Sequence, residues 1–298
     1  MTETKKGKIH LSIIVPFCNE GAVIEKTAKD IIEYHDKKDF TIEAIFCANP
    51  HTREESLSIA RKYSEKYPYI KYTQIIDGRK GKGQAVQDGI FTAKGEYLIF
   101  MDADSSTEIS EVDKLLPYVK EYQIVMGSRY IKGAKPYQEN YFKALFHGIK
   151  SLIEVLIFGH SRDYMAKGKQ GRIRQFISRG GNLAFAVLLN QSYIDQRCGF
   201  KLYQTRVAKI LAGLQTIYGF GFDTEYLAIA QKYKFKTIEV PVEWYDRAEG
   251  ASVNPIKDSI NSFKDIFKVQ KNLIRNKYSR KIAARKLEKI YGENLLKK

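Results

Sequence analysis

Apolar runs of strand length alternate, through the first half of the chain, with stretches whose apolar positions recur every three or four residues. Leu11 to Pro16, Thr41 to Cys47, Ile70 to Ile76, Tyr97 to Met101 and Ile124 to Gly127 read as short buried strands. Between them, Gly21 to Tyr34, Glu54 to Tyr67, Gly83 to Thr92 and Val112 to Tyr122 carry helical periodicity. Repeated strand–helix units of this kind predict an α/β domain, a mainly parallel sheet with helices on both faces. In such sheets ligands bind beyond the carboxyl ends of the strands, so the residues that follow each strand are the ones to inspect for chemistry.

Two further segments are amphipathic without belonging to this alternation. From Tyr141 to Phe158 the residues Phe142, Leu145, Phe146, Ile149, Leu152, Ile153, Leu156 and Ile157 form one broad helical face. Lys143, His147, Lys150 and Glu154 interrupt the run, which is therefore no membrane span, and no other stretch offers the roughly 18 to 20 apolar residues a span needs. Near the C-terminus, Ile256, Ile260, Phe263, Ile266, Phe267, Leu273 and Ile274 make a second stripe. Residues 257–298 also hold 13 Lys and Arg against 4 Asp and Glu, a large share of the formal charge of +16. A basic stripe of this type fits an anionic membrane surface better than a nucleic-acid arm, and no nucleic acid is expected as partner. Packing against the core, or a solvated charged helix, accounts for the same patterns. Cys18, Cys47 and Cys198 lack metal or disulfide spacing, and Met1 to Lys8 is followed by no signal-peptide core. The expectation is a cytoplasmic protein, peripherally associated with a membrane.

The strand ends converge on a single chemistry. Asp102-Ala103-Asp104 follows the fourth strand, and two carboxylates at a sheet edge call for solvent, a cation or a catalytic task. The same triplet also suits a polar turn that caps the next helix. Pro16-Phe17-Cys18-Asn19-Glu20 follows the first strand and Gly127-Ser128-Arg129 the fifth. Gly81-Lys82-Gly83 opens the helix after the third, where flexible backbone, free N–H groups and a lysine suit an anion. Arg129 can fork onto phosphate oxygens. Taken together, the four loops describe a divalent cation and a phosphate at one edge.

With these residues in view, the chain resembles family 2 glycosyltransferases of the GT-A fold, in the polyprenyl-phosphate (dolichyl-phosphate) branch, and is most similar to dolichyl-phosphate β-glucosyltransferases. The resemblance rests on Ile13-Ile14-Val15-Pro16 with Asn19-Glu20, Gly81-Lys82-Gly83, Asp102-Ala103-Asp104-Ser105, Gly127-Ser128-Arg129, and Ser178-Arg179 with Asn182. Asp195-Gln196-Arg197-Cys198-Gly199-Phe200-Lys201 is its more specific part, followed by Phe222-Asp223-Thr224-Glu225 and Glu239-Val240-Pro241-Val242-Glu243-Trp244. It covers about residues 9 to 275. It implies a GT-A catalytic domain (9–245), within which a stretch at about 133–172 departs from the close relatives by its length and reads as an amphipathic acceptor or membrane-docking insertion; the residues themselves give a polar tail (1–8) and a basic amphipathic helical extension (246–298).

The resemblance also implies roles. Pro16, Asn19, Glu20, Lys82 and Asp102 would contact a nucleotide-sugar donor, and Asp102 and Asp104, with Ser106 beside them, would hold Mg²⁺ or Mn²⁺ on its pyrophosphate. Both metals take oxygen ligands and share them with substrate phosphates. Arg129 and Arg179 would receive the phosphate of a polyprenyl-phosphate acceptor, which needs little general-base help. Asp195 would then orient Lys201 or an arginine; for a sugar hydroxyl acceptor, Asp195 or Asp223 would instead be the base. Both carboxylates also suit helix capping. One departure bears on the donor: where the family commonly has Asp-Asp-Gly-Ser, this chain has Cys47-Ala48-Asn49-Pro50. Asn49 suits a uracil edge better than a guanine edge, which favours a UDP-sugar. The alternatives are a soluble transferase acting on a sugar hydroxyl in polysaccharide synthesis, and a protein that binds anionic polymers without catalysis.

Overall fold

The structure is a computed structural model that describes residues 10–137, 142, 145–146, 149–150, 153, 188–245, 255–292 and 295–296, with 166–167 and 255–263 as backbone only. Arg179, with Ser178 and Asn182, lies outside the described residues, as do the tail and most of the 133–172 segment.

Strands β1 (Leu11–Phe17), β2 (Ile42–Ala48), β3 (Ile70–Thr73), β4 (Tyr97–Met101) and β5 (Ile124–Ser128) alternate with helices α1 (Gly21–Asp36), α2 (Glu54–Lys66) and α3 (Lys82–Thr92). The sequence predicts one continuous helix from Val112 to Tyr122. The chain instead forms a 3₁₀ turn at Ile109–Glu111, one α-turn, α4 (Val112–Leu115), and a second 3₁₀ turn at Leu116–Tyr118. Pro117 stands at the start of that last turn, where its missing N–H and fixed φ favour restarting a helix over continuing one. Next come β6 (Lys135–Pro136), β7 (Ala166–Lys167), β8 (Phe200–Gln204), α5 (Thr205–Leu214), α6 (Phe222–Tyr233), β9 (Thr237–Pro241), β10 (Trp244–Tyr245), α7 (Pro255–Ile274) and α8 (Arg280–Tyr291).

Eight strands form one sheet in the order β3-β2-β1-β4-β8-β5-β9-β6, and β7 pairs with β10 separately. The pairs β1–β2, β1–β4, β2–β3 and β5–β9 are parallel. β8 runs antiparallel between β4 and β5, a reversal that no periodicity announces. It starts at the sheet edge where β4 and β5 end, so Phe200 sits opposite Met101. The turn before β8 is thereby laid beside the acidic loop after β4.

Both faces of the sheet are apolar and covered. One buries Ile13, Val15, Phe46, Ile99 and Leu202 under α1 and α2; the other buries Ile14, Ile45, Leu98, Phe100 and Tyr203 under α3, α5 and α6. α7 and α8 join this second layer. Tyr278, Ala283 and Leu287 belong to its core, and Ile266 and Val269 pack with Ile217 and Ala228. The space under α3 is tight at Gly89, where an added Cβ would lie 2.6 Å from Ile14 Cγ2 and 2.7 Å from Cys47 Sγ. We expect Gly89→Ala to destabilise the fold by about 1–3 kcal/mol, read from urea denaturation, because neither side chain has room to retreat.

Candidate active site

The loops at the carboxyl end of the parallel strands build the site. Asp102 and Asp104 emerge directly after β4, whose five residues are all buried, so the strand fixes where the carboxylates start. The Lys82 ammonium, at the first turn of α3, donates a hydrogen bond to Asp102 Oδ1. The approach is possible because Gly81 adopts φ 119° and packs so closely on the Tyr218 carbonyl that a Cβ would lie 2.5 Å from its oxygen. Burial works against the Lys82 charge, but Asp102, then Asp223 and Asp104, outweigh it and hold the pKa above the usual lysine value.

Asp104 Oδ1 accepts the backbone N–H of Ser106 at 2.8 Å, a short-range turn that fixes its direction. Ser106 itself is buried and its carbonyl accepts from Tyr245 N–H at 2.8 Å, tying the acidic loop to β10. Burial and the charge of Asp102 push the Asp104 carboxyl up. Glu20, from the loop after β1, is pushed up to about 7 by burial, then by Asp104 and Asp102. Burial and neighbouring negative charge thus raise both Glu20 and Asp104, an excess of negative charge that a cation would relieve. Among the described residues no three metal-ligating side chains gather closely enough to hold an ion alone. Asp102 and Asp104 therefore fit a divalent cation whose remaining ligands are substrate phosphate oxygens and water.

Gly199 explains how the turn before β8 joins this cluster. The Asp102 carboxyl lies flat on Gly199, and a Cβ there would meet it far inside the 3.0 Å that real contacts respect. Lys201, wholly buried in β8, donates to the Cys198 carbonyl at 2.8 Å and pairs with Asp223 Oδ1 at 3.0 Å. Sealed under Phe100, its ammonium is out of reach of a substrate and holds the turn instead. Burial pushes the Asp223 carboxyl up despite Lys201 and Lys82 nearby.

Across the edge stands a second charged group. Arg129, just past β5, donates from its backbone N, Nε and an η-nitrogen to the Asp195 carboxylate, each at 2.8 Å. Burial opposes the Asp195 charge, but Arg129 more than offsets it and holds the carboxyl below the usual range. Asp195 thus orients an arginine, not Lys201. The Arg129 guanidinium lies 5.3 Å from the centre of the Trp244 ring, which is itself buried. Arg197, partly buried, is held below the usual arginine range by burial and by Arg129, against the pull of Asp223.

Pro16, near the end of β1, pairs with Cys47 of β2. Asn19, at φ 55°, accepts Arg53 N–H on its side-chain oxygen at 2.6 Å, which pins the β1–α1 loop to the start of α2. Asn49 Oδ1 accepts His51 N–H at 3.2 Å in a local turn. Pro16, Glu20, Lys82, Asp102, Asp104 and Ser106 thus share one part of the edge, and Arg129 and Asp195 another.

Sequence reading gave no role to two glutamates that shape the site. Glu225 accepts Thr216 N–H, Thr216 Oγ–H and Ile217 N–H at 2.6–3.0 Å, and also the Tyr278 hydroxyl at 2.6 Å. The loop it holds packs on Gly81 and carries Phe220 over Lys82. Asn272 and Lys268 of α7 donate to Thr216, and the Asp265 carboxyl lies on Gly221. Glu239 accepts Ile194 and Asp195 N–H. The signal for both was a carboxylate set in an otherwise buried element.

Lys82 with its acidic pair, and a buttressed Arg129, gather at the carboxyl edge of a doubly covered α/β sheet, as a glycosyltransferase of GT-A type would place them. The sequence bears this out: the model of glycosyl transferase family 2 matches residues 12–191, and the chain belongs to that family. Among curated relatives, a dolichyl-phosphate beta-glucosyltransferase of Trichomonas vaginalis is 26% identical over 80% of this chain, which spans 64% of that relative's length. The human dolichyl-phosphate beta-glucosyltransferase is 28% identical over 86% of this chain and 73% of its own. Among solved structures, glucosyl-3-phosphoglycerate synthase of Mycobacterium tuberculosis aligns with TM-score 0.59 at 14% identity, over 90% of this chain and 82% of that one. Mannosyl-3-phosphoglycerate synthase of Rubrobacter xylanophilus aligns with the same TM-score at 11% identity, over 90% and 74%. Both structures share the GT-A fold.

Proposed function

We propose that this chain moves a hexose from a UDP-sugar to a polyprenyl (dolichyl) phosphate, with inversion at the anomeric carbon and with Mg²⁺ or Mn²⁺, at the cytoplasmic face of a membrane. The observation that carries this reading is the state of Asp195. All of its hydrogen-bonding capacity toward the site is turned on Arg129, and its carboxyl is held acidic, so it is a poor general base. A sugar hydroxyl would need a base, whereas a phosphate acceptor is already an anion and mainly needs to be held in line. The relatives' names point the same way, and structures of the Mycobacterium tuberculosis synthase were solved with UDP and Mn²⁺.

In this reading Asp102 and Asp104 would hold the metal, which when bound acts as a Lewis acid on the leaving diphosphate. Lys82 places a further positive charge beside the departing oxygens. Arg129, and Arg179 with it, hold the acceptor phosphate on the other side of the anomeric carbon. The Arg129 face against Trp244 is shielded from water, which strengthens its attraction for an anion. Membrane contact is supported by four exposed apolar side chains at helical spacing: Phe142 (80% exposed), Phe146 (67%), Ile149 and Ile153. No helix of the described residues is long and apolar enough to cross a membrane.

The test is a donor screen. Purified protein is incubated with polyprenyl phosphate, Mn²⁺ and, in parallel, UDP-glucose, UDP-galactose, UDP-N-acetylglucosamine and GDP-mannose. Transfer from a UDP-sugar, glucose first, is expected; EDTA should abolish it and added Mn²⁺ restore it. Transfer from GDP-mannose alone would overturn the uridine assignment. Transfer only onto sugar hydroxyl acceptors would overturn the lipid-phosphate reading altogether.

A further inference from the structure

Arg129 does not stand alone; it ends a chain of contacts that begins in the middle of β9. Glu239 is 3% exposed, with Met126 of β5 beside it on one side and Lys135 of β6 on the other. A carboxylate in such a position costs several kcal/mol unless it is fully bonded. Glu239 is held by the backbone of one loop: Oε1 and Oε2 accept Ile194 N–H at 3.1 and 2.9 Å and Oε1 accepts Asp195 N–H at 2.7 Å, while burial still pushes its carboxyl up to about 7. The very next group in the chain is the Asp195 carboxylate, which receives the three Arg129 N–H groups. The loop is closed on its far side by Cys198 N–H donating to the Asp195 carbonyl at 3.4 Å.

Two adjacent N–H groups converge on one carboxylate, Ile194 reaching both of its oxygens and Asp195 one. A glutamine would offer one oxygen and press an N–H₂ against the second donor. We infer that Glu239 is a positioning residue: by fixing the backbone at Ile194 and Asp195 it aims the Arg129 guanidinium at the acceptor's anionic group. This rests on the acceptor being a phosphate, as proposed above. Displacements of about 1 Å at such a distance from the chemistry are enough to cost large factors in rate or binding.

A double-mutant cycle tests it, with Glu239→Gln, Arg129→Ala and the double variant assayed for transfer from UDP-glucose to polyprenyl phosphate. Glu239→Gln should raise the acceptor KM about tenfold, the loss expected for one buried charge-assisted hydrogen bond, with donor KM unchanged. The double variant should match Arg129→Ala alone, since a residue that acts through Arg129 has nothing left to act on. The same tenfold loss in both backgrounds, or an equal rise in both KM values, would overturn the inference. Should Glu239→Gln melt too low to assay, Glu239→Asp keeps the charge, shortens its reach and enters the same cycle. If the wild type transfers nothing to polyprenyl phosphate, the proposed function fails and a spectroscopic readout decides the inference. The Arg129 Nε–H resonance should then exchange slowly in the wild type and rapidly in Glu239→Gln, and an unchanged resonance would sink the idea.

Discussion

Asp104→Asn is expected to lower kcat about a thousandfold while leaving the protein folded. Asparagine is nearly isosteric and its side-chain oxygen can still accept Ser106 N–H, so the loop after β4 should keep its shape. What would disappear is one of the two carboxylates proposed to hold a divalent ion, and with the ion the positive charge that would neutralise a departing diphosphate. The same substitution removes a buried charge that burial first, and then the charge of Asp102, make costly to hold. The melting temperature should therefore hold steady or rise. Loss of activity with gain of stability is the signature of a strained functional site. Steady-state kinetics at saturating Mn²⁺ and a thermal melt are the two measurements, and normal turnover by the variant would remove Asp104 from the metal role.

Gly199→Ala should be almost as damaging to turnover, about a hundredfold or more, by a different route. The new methyl cannot coexist with the Asp102 carboxyl that now covers Gly199. That carboxyl is the end of a short, rotatable side chain, so it can swing away at modest cost to the fold. Swinging away breaks its contact with Lys82 and takes the first of the two carboxylates proposed to hold the metal off the edge. The expected pattern is a small shift in melting temperature with a large fall in kcat and in Mn²⁺ affinity. An alanine variant that binds Mn²⁺ as the wild type does would show that Asp102 functions in another position.

How far these features were legible beforehand follows from what kind of signal each leaves. Strands β1, β2, β4 and β5 are mainly apolar runs buried on both faces, and helices α1 to α3 are periodic, so their places could be read directly. Asp102, Asp104, Lys82 and Arg129 were legible because each follows such a strand or opens a helix after one. The antiparallel insertion of β8 was not, since strand direction depends on where the intervening chain travels and leaves no periodicity. Without that reversal, Gly199 has no reason to lie under Asp102. Glu239 and Glu225 escaped for a related reason: their partners include backbone N–H groups, of a loop distant in sequence for Glu239 and of the preceding loop for Glu225, and such partners have no residue type to recognise. The broken helix at Pro117 escaped because its apolar spacing continues across a change in backbone geometry.

The contacts of Glu225 set a limit on how this molecule can be dissected. Its carboxylate gathers the loop beside Lys82 on one side and the Tyr278 hydroxyl on the other, with Asn272 bridging Tyr278 to Thr216. A fragment ending at Tyr245 would contain every strand, both aspartates and Arg129, yet it would leave a buried glutamate short of a donor and uncover Ile217 and Ala228. The basic helices at the C-terminus are thus one wall of the room in which Lys82 works, and since the Leu295 carbonyl accepts two Arg206 hydrogen bonds, an expression boundary for the smallest working unit belongs after Leu296.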